Sequence, residues 1–142
     1  MSQGVNVLLD TSVVVDLEQL EGKDVAAQIG CEVAELRPGI SSITLAELAA
    51  GPHATADPAV RAVRQARLQW VEATFDPLPF DADAARAYGV IYSLVLSQGR
   101  KPRKRLADLL IASIAAANGL PLLTRNPTGF SGLQAQIRVV PV

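Results

Sequence analysis

Three carboxylic acids sit in stretches of this sequence that are otherwise almost wholly apolar. Asp10 lies inside VNVLLDTSVVV (5–15), Glu47 inside GISSITLAELAAG (39–51) and Asp108 near the start of LADLLIASIAAANG (106–119). Each has a purely structural reading. Asp10, or Thr11 and Ser12 behind it, can cap a helix by accepting from free backbone N–H groups. Thr44-Leu45-Ala46-Glu47 has the form of a capping box, and Asp108 would be favoured by the positive end of its own helix, which begins near Arg105. Gathered at one place, however, the three acids repel one another and stay ionised together only around a cation. Oxygen ligands without His or Cys suit Mg²⁺ or Mn²⁺. A cation so held can bind a phosphodiester oxygen, acidify an attacking water and stabilise charge on the leaving oxygen. Phosphodiester hydrolysis is therefore the leading chemistry.

The elements that would gather these acids follow from the apolar pattern. Val5 to Leu9 is β-branched and apolar on both faces, as a strand buried in a parallel sheet should be. A helix is expected from Ser12 to Leu20, ended by Gly22, and a second from Lys23 to Glu35 before the Pro38-Gly39 break. Gly39 to Ser42 reads as a brief strand turning directly into a helix that Gly51 and Pro52 stop, with Glu47 in its first turn. Asp57 caps a helix running to Thr74, DPLPF (76–80) is extended, and Asp81 caps a helix whose inner face is Ala84, Tyr88, Ile91 and Val95. The apolar helix carrying Asp108 ends at Asn118-Gly119 and leads into the strand LPLLT (120–124); IRVVPV (137–142) offers a last strand. Helices alternating with short apolar strands predict an α/β fold: one domain over 1–142, a three-layer α/β/α sandwich around a mainly parallel central sheet. Ligands bind such sheets at the carboxyl ends of the strands, the end to which all three acids could project.

Composition narrows the field. The 142 residues are 49% hydrophobic, enough for one core, and 13 Lys and Arg against 14 Asp and Glu leave a net charge of -1, so no global basic field is available for nucleic acid. The single Cys31 and single His53 have no companions for a disulfide or a zinc cluster. No apolar run is long enough for a membrane span, and MSQGVN lacks the basic start of a signal peptide. These features predict a cytoplasmic protein with no membrane partner. Walker-type loops and the G-x-S-x-G elbow are absent, which removes nucleotide hydrolysis and serine esterase chemistry. A haloacid-dehalogenase-type site would need a second Asp two residues after Asp10, where this chain has Ser12.

The motifs LLDTSVVVD, ISSITLAELAAG, RLADLLIASIAAANGLPLLTRN and LQAQIRVVPV, in that order and spacing, resemble the PIN-domain ribonucleases of the VapC toxin type. The resemblance runs over nearly the whole chain. It implies a PIN-like fold and a metal-dependent endoribonuclease using Mg²⁺ or Mn²⁺ on tRNA, rRNA or mRNA. It also implies a homodimer and inhibition by a small cognate VapB-type antitoxin. It makes Asp10, Glu47 and Asp108 the catalytic and metal-binding acids, with Thr11, Ser12, Thr124 and Asn126 supporting them. Members of the family often carry a further acid just before the Phe of Asn126-Pro127-Thr128-Gly129-Phe130, where this chain has Gly129. That departure puts a two-metal site in doubt and leaves open a degenerate PIN module that binds RNA or a protein without cutting.

RKPRKR (100–105) packs five cations into six residues, three positions before Asp108. Such a run is commonly a solvated loop, but beside a metal site it would bind backbone phosphates. The RNA-binding candidates are Arg100, Lys101, Arg103, Lys104 and Arg105, with Arg125. Arg61, Arg64 and Arg67 fit an exposed helix face. Trp70, Tyr88 and Tyr92 are expected in the core or at a dimer surface, and Asp16, Asp81 and Asp83 as helix-start or surface charges.

Overall fold

The computed structural model describes residues 4–17 and 22–142. Four strands, β1 (Val5–Leu9), β2 (Leu36–Gly39), β3 (Leu122–Thr124) and β4 (Val139–Pro141), form one sheet in the order β2-β1-β3-β4, and all neighbours are parallel. Parallel strands have to be joined by crossovers, and among the described residues six α-helices supply them: α1 (Thr11–Val15), α2 (Gly22–Ile29), α3 (Ser42–Ala50), α4 (Pro58–Thr74), α5 (Ala82–Ser97) and α6 (Leu106–Asn118).

Alternate residues of the strands feed two separate cores. Leu8 and Leu122 pack with Ile91 and Val95 of α5 and Leu109, Ile111 and Ala112 of α6. Val7, Leu9 and Leu123 turn to the other face and pack with Val13, Val14, Leu48 and Val71 from α1, α3 and α4. This two-sided burial explains why the strands read as continuous apolar runs and makes the sheet the middle of three layers, as the sequence predicts. Truncating Leu8 or Leu122, both 0% exposed, would open a cavity costing about 2–5 kcal/mol.

Several elements differ from expectation. The first helix ends at Val15 rather than Leu20; residues 18–20 of that expected helix lie outside the described residues. Gly22 opens α2 instead of closing its predecessor. α2 stops at Ile29 because Gly30 takes φ 87°, and only a short 3-10 turn, Val33–Glu35, follows. The second strand precedes the Pro38-Gly39 step and contains it, ending at Gly39 where the sequence pattern begins it. β2 is an edge strand, and an edge tolerates a proline that a central strand would not. The terminal strands are shorter than expected, at Leu122–Thr124 and Val139–Pro141. Asp57 and Asp81 do cap α4 and α5, accepting from the N–H groups of Ala59 and Ala84 at 2.9 and 3.0 Å. DPLPF is extended, with Leu78 bridging to Ser41. Arg61 and Arg64 do more than line an exposed face: they donate to the carbonyls of Pro52, Thr55 and Gly51 and so tie α4 to the end of α3. Trp70 is 49% exposed, outside the core, and stands edge-on to Phe75.

Candidate active site

The carboxyl ends of β1 and β3 lie side by side, since Asp10 N–H donates to the Leu123 carbonyl at 2.9 Å and continues the ladder past Leu9. This brings Asp10 and Thr124 together across 114 residues of sequence. Asp10 is only 4% exposed, and three donors fix it. Thr11 N–H donates to Oδ1 at 2.9 Å, while the Ser12 and Thr124 hydroxyls both donate to Oδ2 at 2.8 Å. The capping role and a site role therefore coexist, because a carboxylate has about four lone-pair positions and three are used. Ser12 Oγ and Thr124 Oγ1 accept in turn from the N–H groups of Arg125 and Asn126, at 3.1 and 3.0 Å. The turn after β3 is thereby locked to the turn after β1.

Glu47 does not cap its helix. Ser41 occupies the N-cap of α3, accepting from Thr44 N–H at 3.0 Å, so Glu47 falls in the second turn rather than the first. Its partner is Thr11, whose hydroxyl donates to Oε1 at 2.6 Å. Thr11 has one proton to give, so the 2.9 Å contact between Thr11 Oγ1 and Thr44 Oγ1 is donated by Thr44. Ser41 Oγ donates to Thr44 Oγ1 at 3.3 Å. Ser41, Thr44, Thr11 and Glu47 thus form a one-way chain of hydroxyl donors ending on a carboxylate. Ser41 and Thr44 are fully buried. Sequence reasoning gives Thr44 a capping box and does not single out Ser41; the signal is a pair of hydroxyls three apart in ISSIT, each needing a partner once buried.

Asp108 lies half-buried in the first turn of α6. Burial first, then the charges of Asp10 and Glu47, push its carboxyl above the ordinary value, and Arg105 opposes them. Asp10, Glu47, Asp108, Thr11, Ser12 and Asn126 line one open hollow of about 400 Å³, joined on its rim by Asp16 and Arg125. Arg125 is held there, with Nε 3.4 Å from Asp16 and Nη1 donating to the Val142 carbonyl at 2.9 Å. Asp81 and Asp83 stay away from the hollow, Asp81 as a cap and Asp83 paired with Arg86.

The hollow's donor set is one that hard divalent cations prefer, all oxygen with no soft ligand. As the side chains stand, no three Asp, Glu, His or Cys among the described residues close around one point. The fit to a cation is thus one of charge and ligand type, and the crowding that raises Asp108 is what a cation would relieve. Thr11 is the residue on which the fixed orientation of Glu47 depends. Thr11→Val keeps the volume and removes the hydroxyl. It is expected to weaken Mn²⁺ binding, followed by titration calorimetry, about 10- to 100-fold, as loss of a partner behind a ligand does.

Comparison with known proteins adds to this geometry. The family model described as PIN domain matches residues 7–133. Ribonuclease VapC5 of Mycobacterium tuberculosis is 37% identical over 119 residues, 84% of this chain and 82% of that protein. Among solved structures, VapBC-5 from Mycobacterium tuberculosis, a member of the VapBC family of toxin-antitoxin systems, matches with a TM-score of 0.75 at 32% identity, over 97% of this chain and 99% of that one. VapBC-1 from nontypeable Haemophilus influenzae shares the fold, with a TM-score of 0.74 at 21% identity over 96% and 98% of the two chains.

Proposed function

This chain belongs to the PIN-domain family, and from that premise we propose that it is a metal-dependent endoribonuclease, the toxin of a type II toxin-antitoxin pair. The observation that carries the reading is the meeting of Asp10, Glu47 and Asp108 on one hollow, where burial first and then the other two acids push Asp108 up. In this reading the three acids hold Mg²⁺ or Mn²⁺, which supplies the charge that binds a phosphate oxygen and acidifies water. The chain's own contribution is orientation. Asp10 is held by three donors. Glu47, the exposed acid, has Oε1 fixed by Thr11 and Oε2 without a hydrogen bond among the described residues, which suits it to orient the incoming water. Thr124 and Ser12 steady Asp10, and Asn126 offers a neutral amide at the rim. Arg100, Lys101, Arg103, Lys104, Arg105 and Arg125 are the residues we assign to the RNA backbone.

The partners we propose are a tRNA, rRNA or mRNA substrate, a small VapB-type antitoxin that inhibits the enzyme, and a second copy of the chain. The antitoxin is supported by the likeness to VapBC-5, a member of the VapBC family of toxin-antitoxin systems. Among the described residues no helix is long and apolar enough to cross a membrane, and an RNA substrate goes with a cytoplasmic site of action. We also read residues 1–142 as one PIN-like domain, supported by β1 and β4 lying in the same sheet.

Purified, antitoxin-free protein incubated with total bacterial RNA is expected to yield discrete fragments with Mg²⁺ or Mn²⁺ and intact RNA with EDTA, read on a sequencing gel. RNA left intact under every metal condition by a folded sample would instead favour the non-cutting PIN module.

A further inference from the structure

We propose that a cavity beside the acid hollow, walled by Arg100, Lys101, Lys104 and Arg105, is a second anion site. In this proposal it holds the RNA phosphate next to the one being cut, with the buried Gly129 between the two sites. The inference rests on the nuclease reading and assigns it a path for the strand.

The cavity measures about 370 Å³ and has an apolar floor that includes Leu109 and Leu133. Among the described residues none of its four cations forms a salt bridge, although like charges in one cavity repel unless an anion joins them. Gly129, in the lining of this cavity, lies beside Asp108 of the acid hollow. A Cβ built on Gly129 would stand 2.9 Å from Nη1 of Arg105 and 3.2 Å from Oδ2 of Asp108, so a cation from one site and an acid from the other meet over its bare Cα. Gly129 is buried and is not among the positive-φ glycines, so the backbone conformation does not call for glycine there, and a side chain at 129 would have to displace the ends of Arg105 and Asp108. The first turn of α6 opens at the same place, with Arg105 at its N-cap making no side-chain capping bond. A strand running from the acid hollow to this cavity would put consecutive phosphates into the two sites. Of the four cations Arg105 is the one that acts on Asp108, and a carboxylate at 129 would engage it and crowd Asp108.

The test is binding of a fluorescent RNA hairpin in EDTA, where nothing is cut, across a salt series, followed by kcat and KM with Mg²⁺. Arg105→Ala is expected to weaken binding about tenfold and to reduce the slope of log K against log salt by about 0.9, one phosphate contact. Arg86→Ala, which removes a charge on the surface of α5, leaves both unchanged. Gly129→Asp is expected to lose binding and kcat/KM together, with Gly129→Ala between it and the parent. Equal behaviour of Arg105→Ala and Arg86→Ala would overturn the proposal, as would a rise in kcat/KM for Gly129→Asp. If the parent protein cuts no RNA, the nuclease reading falls, and the binding arm in EDTA still decides this one.

Discussion

Asp10→Asn is expected to lower RNA cleavage by more than about a hundredfold while leaving the melting temperature close to that of the parent. The loss follows from the acid's place in the proposed site. Substitutions one shell further out already cost about 10- to 100-fold in metal enzymes, and this one removes a formal negative charge from the hollow itself. Stability is spared because the hydrogen bonds can be remade. The amide oxygen accepts from Thr11 N–H as Oδ1 did, and the amide nitrogen faces the hydroxyls of Ser12 and Thr124, which rotate to accept. Net hydrogen-bond differences of this kind amount to about 1 kcal/mol. Cleavage assays on parent and variant, with circular dichroism melts on the same samples, check both halves. Parental cleavage by a folded Asp10→Asn protein would remove Asp10 from the chemistry and leave it as a helix cap.

Asp108→Asn is expected to abolish cleavage to a similar degree and to raise the melting temperature of the metal-free protein by roughly a few degrees. The two effects have one origin. A carboxyl whose folded-state pKa lies above its unfolded value costs the folded state stability once both forms are ionised, and that cost fades as pH falls through the raised pKa. Burial, Asp10 and Glu47 raise Asp108 in this way, so its removal relieves the folded state at neutral pH. The gap between variant and parent should narrow as the pH is lowered toward the raised value. Mg²⁺ should narrow it too, by stabilising the parent alone. A variant that melts at or below the parent at neutral pH in EDTA would contradict the crowding of the acids.

How much of this was legible in the sequence depended on whether the determining contacts are local. β1, the Asp57 and Asp81 caps and the apolar helix closed by Gly119 are set by residues within a turn or two, and each is where the pattern puts it. β2 was misplaced because Pro38 reads as a break, and only its position at the sheet edge makes that proline harmless. The spacing of Glu47 from Thr44 permits a capping box, but the structure forms none there. The competing N-cap, Ser41, is one helical turn earlier, and Thr44 is drawn into the chain through Thr11, which lies 33 residues away. The acids themselves were legible as lone charges in apolar sequence. The hydroxyls that hold them, and the placing of Gly129 beside Arg105 and Asp108, arise only when separate elements pack.

The pairing of Asp10 with Thr124 across 114 residues also has a consequence for synthesis. A ribosome releases β1 and its acid long before β3 exists, and a chain that ends short of β3 leaves Leu9 without its strand neighbour and Asp10 without one of its three donors. Pairings this distant in sequence form late, since the loop between them must close first. The hollow is therefore among the last features of the molecule to take shape, and an unfinished chain carries its acids without the frame that would aim them. For a protein whose proposed substrate is RNA, that order keeps the nascent chain inert while it is still attached to the machinery that is made of it.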